Sequence, residues 1–276
     1  MGRLEGKNTI ITGAAGGVGL ETSIQFAIEG ANVLMTDVNA SALEKAVTIV
    51  KEHAADGVRI EGKPCDVSKE AEVEELVASL EKYGGVDVMF NNAGIMHPED
   101  DGILNTPERI WDLTFAINVR GVAYGSKYAI KSMLENKKTK AAIINTASVV
   151  AIVGSATPQI AYTASKGAVM ALTRELAIQY AKSGIRINSL CPAPLNTPLL
   201  QAFLDTEEKK LRRTVHFPTG RFGEAIEQAK AVVFLASDDA SFIIGQDFVV
   251  DGGMTKSYVT SLDPTPPAPS NIAFGK

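Results

Sequence analysis

Thr12-Gly13-Ala14-Ala15-Gly16-Gly17-Val18-Gly19 stands between the apolar run Thr9-Ile10-Ile11 and the amphipathic segment from Leu20 to Glu29. Apolar run, glycine-rich turn and amphipathic segment, in that order, read as strand, turn and helix. Glycines at 13, 17 and 19 permit a tight turn, close approach of the backbone to a pyrophosphate, and close packing of helix on strand. The helix start, from Val18 on, offers unpaired N–H groups and the positive end of its dipole to phosphate oxygens. Gly13, Gly17, Val18 and Gly19 are therefore the first cofactor-binding candidates. A glycine-rich turn alone is often just a turn; the strand before it and the helix after it give this one weight.

Outward from this stretch the same alternation repeats. Val33-Leu34-Met35 precedes an amphipathic Ser41 to Glu52, and Val58 to Gly62 precedes Ala71 to Lys82. Further strand-like runs are Val86 to Phe90, Ala141 to Ile144, Ile185 to Ile187 and Phe248 to Val250. Strands separated by helices make a parallel sheet, because parallel neighbours need crossover connections. The expected fold is α/β, a doubly wound parallel sheet of Rossmann-like type in three layers, as one domain over residues 1–260. Residues 261–276 carry Pro264, Pro266, Pro267 and Pro269 and read as a tail without helix or strand. Such sheets bind ligands beyond the carboxyl ends of their strands.

At 276 residues with 45% hydrophobic and 21% charged side chains, the chain has material for a full core. Its net charge of -5 gives no electrostatic reason to approach nucleic acid or an anionic membrane. No apolar run approaches membrane-spanning length, and none near the start reads as a signal region. Cys65 and Cys191 fall at the ends of apolar runs and read as buried thiols, which suits a reducing compartment. A cytoplasmic protein is expected. His53, His97 and His216 show no metal-ligand spacing, and no metal is expected.

Asp37 ends the second strand, where a carboxylate can accept hydrogen bonds from the adenosine ribose and would repel a 2'-phosphate. NAD is the expected cofactor, supported by Ala14 and Ala15 in a turn that lacks Arg or Lys; the alternative is that Asp37 is a turn residue. Further along, Tyr162-Thr163-Ala164-Ser165-Lys166 opens a long helical stretch, and residues four apart share a helix face. A phenol with a pKa near 10 is a poor base at neutral pH. Lys166 and an oxidised nicotinamide together would favour the phenolate, making Tyr162 a general base for alcohol oxidation and a general acid for ketone reduction.

With the glycine turn, Asn91-Asn92-Ala93-Gly94, Asn118, Ser148, Tyr162 with Lys166, and Val250-Asp251-Gly252-Gly253, the chain resembles the short-chain dehydrogenase/reductase family over nearly its whole length. The resemblance implies that Ser148 hydrogen-bonds the substrate oxygen, that Lys166 also holds the nicotinamide ribose, and that Asn118 carries a water-linked proton relay. Locally, Ser148 and Asn118 also read as a strand-end hydroxyl and a helix-kinking amide. Asp66 and Val67 match positions that hold the adenine, and Asn92, Ala93 and Gly94 the segment bordering the adenosine ribose. Pro192, Leu195 and Thr197 match the segment that holds the nicotinamide carboxamide. Two departures stand out: Ala193 where glycine is usual, which restricts the backbone, and a Ser148-to-Tyr162 interval one residue longer than expected, through Ser155 to Pro158.

Substrate contacts implied by the resemblance come from Ile95, Met96 and His97, from Val149, Val150 and Ile152, and from Leu199 to Phe217. Leu199, Leu200, Phe203, Leu204, Leu211, Val215 and Phe217 suggest an apolar lid or, alternatively, packing on the lid's own support. Nothing cationic obviously awaits a carboxylate or phosphate, although Arg212, Arg213 and Arg221 lie nearby in sequence, so a small, neutral, mostly apolar and cyclic secondary alcohol or ketone is expected. Dehydrogenase and carbonyl reductase use the same residues and stay unseparated. A non-catalytic dinucleotide-binding regulator or scaffold is the competing class; loss of Tyr162 or Lys166 would mark it, and both are present. The resemblance also implies a homotetramer or homodimer through the segment Arg109 to Met133 and the helix after Tyr162.

Overall fold

In a computed structural model the structure describes residues 2–155, 157–197, 204 and 206–257, and of Lys209 and Arg212 the backbone alone. The proline-rich tail, and Leu199, Leu200 and Phe203 of the expected lid, lie outside the described residues.

Strands β1 (Asn8–Thr12), β2 (Asn32–Thr36), β3 (Ile60–Gly62), β4 (Val88–Asn91), β5 (Ala141–Thr146), β6 (Ile185–Pro192) and β7 (Asp247–Val250) form one sheet in the order β3-β2-β1-β4-β5-β6-β7. Every pairing is parallel. The period-2 geometry of a strand sends successive side chains to opposite faces, and both faces here are apolar. Ile11, Phe90 and Ile144 enter one core with Phe26, Leu43 and Val233, while their neighbours Ile10, Met89 and Ile143 enter the other with Leu76, Met133 and Ala177.

The first core is covered by α1 (Gly17–Ile28), α2 (Ala40–His53) and α8 (Ala225–Ala236), the second by α3 (Glu70–Ala78), α5 (Gly121–Glu135) and α6 (Ile160–Tyr180). Two shorter helices complete the described set, α4 (Glu108–Phe115) and α7 (Glu207–Thr214). Strand order reverses direction at β1, with β2 on one side and β4 on the other. Loops leaving the ends of β1 and β4 therefore diverge, and the crevice between them is the expected ligand position.

Two expected helices differ in detail. The segment Ala71 to Lys82 stops being α-helical at Ala78 and ends in a 3-10 turn, Glu81–Tyr83, closed by Gly84 at φ 87°. Arg109 to Met133 runs as a continuous helical stretch with a π turn at Ala116–Arg120, between α4 and α5. Such a bulge marks a place where a side chain is re-aimed, and Asn118 sits inside it. Both cysteines are free and buried.

Candidate active site

Gly13 and Gly17 adopt φ +64° and +54°, a region that costs an L side chain about 1–2 kcal/mol. At Gly19 the constraint is space, since a Cβ there would lie 2.1 Å from the Gly13 carbonyl oxygen. In front of Gly16 and Gly17 a Cβ would meet nothing within 4 Å, and α1 starts without a side-chain cap. A helix's first N–H groups need partners. An uncapped start beside open space, on a turn without a cationic side chain, fits a pyrophosphate.

Neighbouring strands lock this turn. Asn92 Nδ2 donates to the carbonyl oxygens of Thr12 (3.0 Å) and Gly13 (3.3 Å), and Thr12 Oγ1 accepts from the backbone N–H groups of Asn92 and Ala93. Asp37, just after β2, accepts from Ala15 N–H at 3.2 Å and Asn39 N–H at 3.0 Å. Asp37 is thus a turn residue as well as a ribose candidate: an ionised carboxylate has about four acceptor sites, so others remain. Asp66 turns the chain after β3 by accepting from Ser68 N–H and Oγ–H, and Val67 is buried where a Cβ on Gly121 would come within 2.9 Å of it.

On the other side of the crevice, α6 carries Tyr162 in its first turn and Lys166 one turn later. Gln159, at the N-cap, supplies no side-chain bond. The buried carboxylate of Asp100, from the loop after β4, does so instead, accepting from Ala161 N–H at 3.0 Å and Tyr162 N–H at 2.7 Å. A helix start without its own Ser, Thr, Asp or Asn was the one sequence signal that such a partner had to exist.

Lys166 Nζ lies 5.6 Å from the Tyr162 ring centroid and donates to the Thr146 carbonyl at 2.7 Å. Burial lowers its pKa to about 8. Burial raises that of the Tyr162 phenol, although the residue keeps a face on the cavity, and a hydrogen bond with Ser148 pulls it down less strongly. Without the nicotinamide, burial is the larger influence on the phenol, and the Lys166 ammonium is held by the Thr146 carbonyl. Ser148 Oγ also accepts from Val150 N–H. Asn118 is fully buried, its Oδ1 accepting from Ile95 N–H at 2.8 Å and its Nδ2 donating to Ile95 O at 2.9 Å and Ser165 Oγ at 3.0 Å. A Cβ on Gly94 would lie 3.2 Å from Asn118 Oδ1 and 3.3 Å from Lys166 Nζ, so these three positions are packed together.

Ser148 and Tyr162 share a cavity of about 290 Å³ with Met96, Val149, Val150, Leu195, Thr197, Phe217 and Met254. Pro192 and Ala193 line it too, and Ala193 takes no positive φ, so alanine is accommodated without strain. Of the described apolar substrate candidates, Ile95, Ile152, Leu204, Leu211 and Val215 do not line it; Ile152 and Leu211 are exposed and Leu204 is buried. His97 does not line it either; its Nδ1 accepts from Glu99 N–H. Of the three arginines that lie near this segment in sequence, Arg213, on α7, lines the cavity, with His216 beside it. Which turn of α7 would face inward was not readable from a segment carrying Arg212 and Arg213 side by side.

A buried polar chain behind the site was also missed. Asn91 Nδ2 donates to Asn145 Oδ1 and to Ser126 Oγ, and Asn145 Nδ2 donates to Thr173 Oγ1, joining β4, β5, α5 and α6.

A family model described as enoyl-(acyl carrier protein) reductase matches residues 13–255. The chain belongs to the short-chain dehydrogenase/reductase family. Members bind a nicotinamide dinucleotide, NAD or NADP, and this short-chain dehydrogenase/reductase is an oxidoreductase of that kind. It is 40% identical over 262 residues to the 2,5-dichloro-2,5-cyclohexadiene-1,4-diol dehydrogenase of Sphingobium indicum, covering 92% of this chain and 99% of that one. To the 2-(R)-hydroxypropyl-CoM dehydrogenase of Xanthobacter autotrophicus it is 38% identical over 250 residues, covering 89% and 97%. The crystal structure of levodione reductase matches with a TM-score of 0.85 at 35% identity, over 92% of this chain and all 100% of that chain.

Proposed function

We propose that this short-chain dehydrogenase/reductase uses NAD(H) to interconvert a small secondary alcohol, with a mostly apolar and cyclic body, and its ketone. The observation that carries the reading is that Ser148 and Tyr162 share an apolar-walled cavity, with Lys166 buried behind the Tyr162 ring. Bound in that crevice, NAD would accept the hydride and NADH would donate it.

Ser148 would donate a hydrogen bond to the substrate oxygen and hold it beside the phenol. Tyr162 would take the carbinol proton during oxidation and return it during reduction. Because burial holds the phenol above its ordinary pKa, it is protonated at neutral pH, which suits the reductive direction; oxidation needs the phenolate and is expected to quicken as pH rises. Lys166 has one N–H committed to Thr146 O, leaving others to hold the nicotinamide ribose. Asn118, anchored on both sides to Ile95, would fix the π turn and a relay water.

Gly13, Gly17, Val18 and Gly19 would hold the pyrophosphate, Asp37 the adenosine ribose, Asp66 and Val67 the adenine. Asn92, Ala93 and Gly94 would border that ribose, and Pro192, Leu195 and Thr197 would hold the carboxamide. Asp37 supports NAD over NADP, since a carboxylate already aimed at the glycine turn would repel a 2'-phosphate. A cyclic substrate is supported by the cyclic diol in the name of the Sphingobium indicum relative. Leu113 on α4, Leu134 on α5 and Ile178 on α6 are exposed, which supports a homotetramer or homodimer through those helices in the cytoplasm.

The test offers the purified protein NAD or NADP with a panel of cyclic and open-chain secondary alcohols and follows nicotinamide absorbance. Turnover with NAD is expected. Turnover much faster with NADP overturns the assignment of Asp37, and tight NADH binding without turnover on any alcohol or ketone favours a binding role instead.

A further inference from the structure

Resting on the dehydrogenase reading above, we infer that the substrate carries, besides its carbinol, an anionic oxyacid group such as a carboxylate or sulfonate, and that Arg213 receives it. Four observations converge. Among the described residues that line the catalytic cavity, Arg213 carries the only permanent charge, and no Asp or Glu is present to neutralise it. Its Nη2 donates to Thr157 Oγ1 at 3.3 Å, a neutral partner, and among the described residues no carboxylate lies within ion-pair distance of it. Arg3, Arg59, Arg109, Arg174 and Arg221 each face a carboxylate, and buried Arg186 is held by two backbone carbonyls, whereas Arg213 has the single hydroxyl of Thr157. His216 lines the same wall and adds ring nitrogens to it.

Arg213 reaches the cavity from α7 and is tied to Thr157, in the loop that joins Ser148 to Tyr162. Val149, Val150, Phe217 and Met254 make the rest of the wall apolar. A ligand that fits presents its carbinol oxygen to Ser148 and Tyr162, an apolar body to the wall and an anion to Arg213. The cavity's 290 Å³ also includes Pro192, Leu195 and Thr197 in its lining, positions assigned to the nicotinamide, so the body is no larger than one ring or a short chain. A guanidinium half-buried in an apolar wall binds a planar or trigonal oxyanion through paired N–H donors, where a neutral ester or amide gains far less.

The test uses unreactive probes on the NADH complex, with NADH binding first established by fluorescence: cyclohexanecarboxylate, cyclohexanesulfonate and cyclohexyl phosphate against the neutral cyclohexanecarboxamide, titrated by calorimetry into the native protein, Arg213→Gln and Arg213→Lys. At least one anion is expected to bind about tenfold to a hundredfold more tightly than the carboxamide, the range for a hydrogen bond to a charged group. Arg213→Gln should erase that preference while leaving carboxamide and NADH affinity unchanged, and Arg213→Lys should keep part of it. Whichever anion binds best names the oxyacid. Equal binding of acids and carboxamide, or a preference that survives in Arg213→Gln, overturns the inference while leaving the dehydrogenase reading intact; only loss of NADH binding or of turnover counts against the latter.

Discussion

Beyond β1 the backbone of the glycine turn is tied on three sides, by Asn92, by Thr12 and by Asp37. Beyond β5 and β6 the cavity wall is assembled from side chains of the β4 loop, the β5 loop, the β6 loop and α7. The first region constrains backbone, so its requirements fall on glycine, asparagine and aspartate at fixed places. The second constrains only shape and charge, which many side chains can satisfy. On the proposed reading, cofactor recognition would be the rigid half of this site and substrate recognition the adjustable half.

The sharpest way to break that contrast is a pair of substitutions. Gly19→Val puts a Cβ against the Gly13 carbonyl at 2.1 Å and is expected to cost about 3 kcal/mol or more through overpacking, with loss of NADH binding by fluorescence. Ala193→Gly in the cavity wall should cost under about 1 kcal/mol and leave NADH affinity within about twofold.

Lys166 sits where the two halves meet and is expected to cost the fold stability. Its pKa of about 8, down from 10.5, means the unfolded chain holds the proton more tightly than the folded one. Stability should therefore rise as pH climbs from about 8 toward 10.5, and below about 8 the whole penalty is present. That penalty is about 3 kcal/mol. Lys166→Met, inactive as an enzyme, should melt above the native protein at pH 7, with the gap closing by pH 10 in thermal scans.

Asp100→Ala tests whether the catalytic helix is positioned from the cofactor side of the sheet. Removing the cap on Ala161 and Tyr162 should cost about 1–2 kcal/mol and lower kcat while NADH affinity holds. Equal loss of both would mean that Asp100 supports the fold and not the placement of Tyr162.

The same contrast explains what the sequence made legible. Alternating apolar runs placed every strand of the sheet, because a strand buried on both faces leaves little freedom in composition. Tyr162 and Lys166 were visible through helix spacing, and Gly13, Gly17 and Gly19 through backbone geometry that few residues tolerate. Asp100 was hidden because its partners lie on another element, more than sixty positions away for Tyr162 N–H. Arg213 was hidden because only the packing of α7 decides that it, and not Arg221, meets the cavity; Arg221 is paired with Glu227. The π turn between α4 and α5 had no local signal beyond Asn118 itself.

The central claim is that the Tyr162 phenol moves the proton. The most direct measurement is the rate of NADH formation from the best alcohol of the panel, across pH 6 to 10, for the native protein and Tyr162→Phe. The account predicts a native rate that rises with pH as the phenol ionises, and a drop of about 10²–10⁴-fold in Tyr162→Phe with NADH affinity unchanged. A Tyr162→Phe protein that keeps the native rate and the native pH profile would contradict it.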